Sequence, residues 1–101
     1  MHRNLTIDEQ SLARLCAAHR IRRLSLFGSN LKGTARSDSD VDFLVEFDPD
    51  ARPTLLDMAQ IEIDLSRALG GRKVDLRTAE DLSPYFRDEV VRTAEAQYDA
   101  G

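Results

Sequence analysis

The chain reads as a small α/β (α+β) domain, a mixed sheet of about three strands covered by helices, and three observations predict it. In "VDFLVEF" the residues Val41, Phe43, Val45 and Phe47 alternate with Asp42, Leu44 and Glu46, the period of a strand with one apolar face. From Leu55 onward, Met58, Ile61, Leu65, Ala68 and Leu69 recur at helical spacing until Gly70-Gly71 stops them. Strand and helix patterns also alternate along the chain, as they do in domains where helices cover a sheet. At 101 residues there is one core and one domain, residues 1–101.

Each element follows in turn. "TIDEQSLARLCAAH" opens with Thr6 and Glu9 at capping-box spacing, and Leu12, Leu15, Cys16 and His19 then mark a helix that His19 ends. "IRRLSLF" sets Arg23 and Ser25 against Leu24 and Leu26, a first strand closed by Gly28. "SNLKG" is a short helical turn, "VDFLVEF" the second strand, and "DPDARP" the turn before the helix from Leu55. "KVDLRT" is a third strand with Val74 and Leu76 on one face and Asp75 on the other. A terminal helix is expected over "SPYFRDEVVRTAEAQY", with Ser83 as cap, Pro84 at its first position, and Phe86, Val90, Ala94 and Tyr98 facing inward. The helices are expected on one side of the sheet.

Composition narrows the function. Hydrophobic residues make up 42% and charged residues 32%, as in ordinary folded domains. A net charge of -4 argues against generic phosphate-backbone binding, so no direct nucleic-acid contact is expected. No apolar run approaches 18 residues, and "MHRNLTIDEQ" lacks the apolar centre of a signal peptide. With a single cysteine, Cys16, read as a buried thiol, the expectation is a cytoplasmic protein with no membrane association.

The chemistry gathers around "FGSNLKGTARSDSDVDFLVEF". Asp40 and Asp42 lie two apart at the start of a strand and so share a face, with Cα atoms about 7 Å apart. Like charges held together are unfavourable until a cation neutralises them, and hard carboxylate oxygens suit Mg²⁺ or Mn²⁺. Asp75 completes a three-carboxylate site if the second and third strands are neighbours. Such a site suits two-metal phosphoryl transfer, with ions about 4 Å apart. Gly28 permits close backbone approach, Ser29 adds a hydroxyl, and a helical turn beginning there would aim free N–H groups at a phosphate. The plainer alternative is a polar loop ahead of a strand.

At these residues the chain resembles the minimal nucleotidyltransferases of the DNA polymerase beta-like superfamily, often the antitoxin beside a HEPN-domain toxin. The shared pattern is Gly-Ser, ten residues, then Asp-x-Asp, met here by Gly28-Ser29 and Asp40-Val41-Asp42, with Asp75 in "KVDL" as the later acidic residue. The resemblance implies a nucleotidyltransferase fold in which Asp40, Asp42 and Asp75 are the catalytic and metal-binding residues, Asp40 and Asp42 holding two Mg²⁺ ions and Asp75 ligating one or helping to activate the acceptor oxygen. Gly28, Ser29, Lys32 and Arg36 would bind the nucleotide. It further implies transfer of AMP from ATP to a tyrosine of the toxin, in a hetero-oligomer. A chain without an appended acceptor domain agrees, since the partner would position its own hydroxyl. Two positions depart from the family's Gly-Ser-x-Ala-Arg-Gly: Leu31 replaces a small residue and Lys32 an arginine, losing the bidentate fork suited to phosphate. They motivate the alternative of an antitoxin that neutralises by binding alone.

His2 and His19 have no spacing relation to the aspartates and receive no chemical role. Tyr85, Phe86 and Tyr98 are read as core, Arg22 and Arg23 as a solvated strand entrance, and Glu46 as polar face or substrate rim.

Overall fold

The structure, a computed structural model, describes residues 8–27 and 41–100. Among these residues three helices, α1 (Glu9–Ala18), α2 (Leu55–Ala68) and α3 (Arg87–Thr93), accompany four strands, β1 (Ile21–Phe27), β2 (Val41–Phe47), β3 (Val74–Arg77) and β4 (Glu95–Asp99). A 3-10 turn, Ala79–Asp81, links β3 to α3. The strands form one sheet in the order β3-β2-β1-β4. β1 pairs antiparallel with both β2 and β4, whereas β2 and β3 run parallel.

Helix ends follow local chemistry. Asp8 caps α1 by accepting from the Ser11 backbone N–H at 3.0 Å, so the cap falls at Asp8; Thr6 lies outside the described residues. His19 is the C-cap, as its position predicts. Thr54 and Asp57 form a reciprocal capping box at the start of α2. At its far end Gly70 and Gly71 take φ of 74° and 92°, and the Gly71 N–H donates to the Ser66 carbonyl at 2.8 Å. Those left-handed conformations suit glycine and end the helix.

The alternation of β2 sorts its side chains. Val41, Phe43 and Val45 are buried with Leu24 and Leu26 of β1, Val74 and Leu76 of β3, Leu12 and Cys16 of α1, and Ile61 and Leu65 of α2. This single cluster is the core, and α1 and α2 cover it. Burial pushes the Cys16 thiol up to about 12, so it stays protonated and inert.

The C-terminal segment corrects the expected helix. α3 ends at Thr93, and Ala94 turns extended, with φ -62° and ψ 142°. Residues 95–99 then form β4 along the free edge of β1, and Tyr98, opposite Leu24, packs against the core from a strand. Phe86, Val90, Ala94 and Tyr98 do fit a helical spacing, but a helix would leave the outer backbone groups of β1 without partners. Pairing Glu95–Asp99 with β1 satisfies them. Ser83 caps only a turn, accepting from the Tyr85 N–H at 3.3 Å, and Pro84 precedes α3 rather than opening it. Tyr85 and Phe86 are exposed, contrary to their reading as core. The expected turn at "SNLKG" lies outside the described residues.

Candidate active site

The face of the sheet opposite the core carries two of the aspartates that the sequence singles out. In the parallel register of β2 and β3, Asp42 is the direct partner of Asp75, and Val41 and Phe43 pair with Val74 and Leu76 on the core side. Adjacent strands are about 5 Å apart, so the two carboxylates issue side by side from neighbouring backbones. Unneutralised, such a pair repels by about 3 kcal/mol at an effective dielectric of 20. Both residues are half-buried.

The cause lies in the sequence. Val41 and Val74 each start a strand with an apolar residue directed inward, which forces the next residue outward on both strands, and both next residues are aspartate. Phe27, the last residue of β1, is the antiparallel partner of Asp42. The end of β1 therefore lies beside the carboxylate pair. Asp40, Gly28, Ser29, Lys32 and Arg36 lie outside the described residues, so Asp42 and Asp75 are the described members of the expected set.

Arg77, which sequence reasoning did not single out, completes this corner. It follows Asp75 by two residues and therefore shares its face. Its guanidinium donates to Asp75 Oδ2 through Nε at 3.3 Å and Nη2 at 3.1 Å. The signal available was the acid-x-base spacing in "VDLR", which on a strand brings two side chains to one side.

Further along the same face, Leu44 pairs with Ser25, and both are buried. Leu44 lies outside the main core cluster. It borders a groove of about 680 Å³ with Arg23, Glu46, Thr78, Ala79, Glu80 and Val91, so the segment after β3 shelters this part of the polar face. The expectation of cover on one side thus holds for α1 and α2, with the 3-10 turn and α3 added at one corner. Arg87 ties that corner together, donating to the carbonyls of Ala79 at 2.7 Å and Leu82 at 3.0 Å. Glu46 lies 3.6 Å from Arg23, which also meets Asp99 at 3.1 Å, so Arg23 bridges three strands and is more than a solvated entrance.

Away from this face, His19 Nε2 and Asp64 Oδ2 are 2.9 Å apart, joining the end of α1 to α2. Hydrogen bonds from His19 and then Gln60 hold the Asp64 carboxyl below its ordinary range.

A divalent cation is the group this donor set suits. Asp42 and Asp75 offer hard carboxylate oxygens from neighbouring strands, which fits Mg²⁺ or Mn²⁺ and gives zinc no nitrogen or sulfur ligand. Among the described residues no group of three or more potential ligands forms, and the third expected carboxylate, Asp40, lies outside them. No helix among the described residues is long and apolar enough to cross a membrane.

Known proteins agree with this architecture. The family model described as polymerase beta, nucleotidyltransferase matches residues 10–100. The protein adenylyltransferase MntA of Thermococcus cleftensis is 38% identical over 72 residues, covering 71% of this chain and 70% of that protein. A solved chain described as a minimal nucleotidyltransferase is 39% identical, with a TM-score of 0.69, covering 89% of this chain and 87% of the other. A chain in the solved complex of a tri-AMPylated Shewanella oneidensis HEPN toxin with an MNT antitoxin shares the fold at 20% identity, with a TM-score of 0.57, covering 90% and 69%. The protein belongs to the polymerase beta family of nucleotidyltransferases, and its sheet is that family's fold.

Proposed function

We propose that this chain is a Mg²⁺-dependent adenylyltransferase antitoxin, which transfers AMP from ATP to a tyrosine hydroxyl of a cognate HEPN-type RNase toxin in the cytoplasm. The observation that carries the reading is the register pairing of Asp42 with Asp75 on two neighbouring parallel strands. The name of the Thermococcus relative and the toxin complex that shares the fold support the antitoxin assignment.

Asp40, Asp42 and Asp75 would hold two Mg²⁺ ions, with Mn²⁺ as a substitute. When bound, the ions supply Lewis-acid stabilisation of the triphosphate and of the attacking oxygen. Gly28 and Ser29 would present backbone N–H groups and a hydroxyl to the phosphates, with Lys32 and Arg36 as balancing charge. The tyrosine oxygen forms a bond to the α-phosphorus, the bond to the β-phosphate bridge breaks, and pyrophosphate leaves. Asp75 would ligate an ion or help to draw off the phenolic proton. The toxin would bring its own acceptor hydroxyl into the site, in a hetero-oligomer with this chain.

Incubating the purified toxin with ATP labelled at the α-phosphate tests this directly. Label is transferred, ATP labelled at the γ-phosphate gives none, and Asp75→Asn slows transfer at least about 100-fold. Incorporation of the γ-label would instead assign kinase chemistry. The departures at Leu31 and Lys32 favour one alternative, neutralisation by binding alone. Toxin neutralisation in cells that survives combined Asp40→Asn and Asp42→Asn would establish that alternative and sink the catalytic reading.

A further inference from the structure

We infer that Arg77 is a built-in counterion for Asp75, a positioning residue that occupies its carboxylate until a divalent cation displaces it. The inference rests on the reading of Asp75 as a metal ligand given above. The neighbour of Arg77 across β2 is Leu44, which offers a guanidinium no partner, and Arg77 turns back along its own strand to meet Asp75 Oδ2 with two nitrogens. With side chains 46% and 35% exposed, the pair contributes little to folding. Its effect falls on the carboxylate. Asp75 stands opposite Asp42, and the positive charge of the guanidinium offsets the repulsion between them.

A cation approaching Asp75 therefore meets a positive charge already in contact with the oxygen it seeks. The site on its own holds a divalent ion more weakly than two bare carboxylates would. A nucleotide that brings its cation also brings negative charge that compensates Arg77. Metal and triphosphate are then retained together, and the empty enzyme does not carry a tightly held ion.

The test is Mn²⁺ binding to the full chain without nucleotide, followed by the electron paramagnetic resonance signal of free Mn²⁺ at low ionic strength. Arg77→Gln binds Mn²⁺ about fivefold more tightly than wild type, and Arg77→Lys, which keeps the charge, stays within about twofold. Equal or weaker binding by Arg77→Gln, with an unchanged thermal melt, overturns the inference. Arg77→Met supplies the same comparison should Arg77→Gln melt early. Asp75→Asn separates the two readings: it weakens Mn²⁺ binding at least about tenfold if Asp75 is a ligand. Loss in Asp75→Asn without tightening in Arg77→Gln overturns the counterion role alone, whereas wild-type affinity in Asp75→Asn overturns the ligand assignment and the inference with it.

Discussion

On one face of the sheet, Val41, Phe43 and Val45 are buried beneath α1 and α2. On the other face of the same strand, Asp42 and Glu46 are half-buried and Leu44 is buried between them. The first face is apolar throughout and joins every element except the 3-10 turn, α3 and their flanks. The second mixes two opposed carboxylates, an arginine across three strands and a sheltered leucine. One strand of seven residues thus divides its side chains: Val41, Phe43 and Val45 hold the core, and Asp42 and Glu46 display charge on either side of the buried Leu44.

Substitutions in neighbouring residues can break this separation. Phe43→Ala removes a fully buried ring from the core and costs about 3–5 kcal/mol, read from chemical denaturation. Asp42→Asn, one residue away, leaves stability within about 1 kcal/mol of wild type because it deletes one of two repelling charges. A large loss in Asp42→Asn would mean that the carboxylates are structural. Leu44→Ala sharpens the comparison, since this side chain points to the polar face yet is 3% exposed; about 2–3 kcal/mol is expected, and a loss under 0.5 kcal/mol would show that the corner after β3 is not packed.

Smaller effects lie between the helices and at the sheet edge. Asp64→Ala costs about 1 kcal/mol near neutral pH through the lost hydrogen bonds to His19 and Gln60. The Asp64 carboxyl titrates below its ordinary range in the folded chain, so its contribution is fully present above about pH 4 and is lost as pH falls through the folded pKa. Wild type and Asp64→Ala should therefore converge in acid, and a difference that widens as pH falls would contradict the origin assigned to it. Arg23→Gln changes stability by at most about 1 kcal/mol, because its two ion pairs are exposed, and high salt removes the difference.

Much of the core face was legible because its cues are local. The alternation of Val41 to Phe47 spans the observed strand, and Met58, Ile61, Leu65 and Leu69 lie along a helix that the two glycines close. The segment from Phe86 to Tyr98 was legible only in part. Phe86, Val90, Ala94 and Tyr98 satisfy a helical period, and the edge of β1, far upstream in the chain, decides for a strand. Asp42 and Asp75 stood out by residue type, but their direct opposition depends on β3 lying beside β2, a pairing that neither segment encodes alone. The Arg77 contact is not encoded by the strand pattern, since same-face neighbours start about 7 Å apart and only the bend of the long guanidinium side chain along the strand brings it to Asp75.

The central claim is that the polar face performs nucleotidyl transfer to a partner protein, and intact-protein mass spectrometry of the cognate toxin tests it most directly. After incubation with this chain, ATP and Mg²⁺, the toxin should gain mass in whole AMP steps, and the gain should vanish with combined Asp40→Asn and Asp42→Asn. An unchanged toxin mass, with a stable complex still formed, would contradict the account and leave binding as the means of neutralisation.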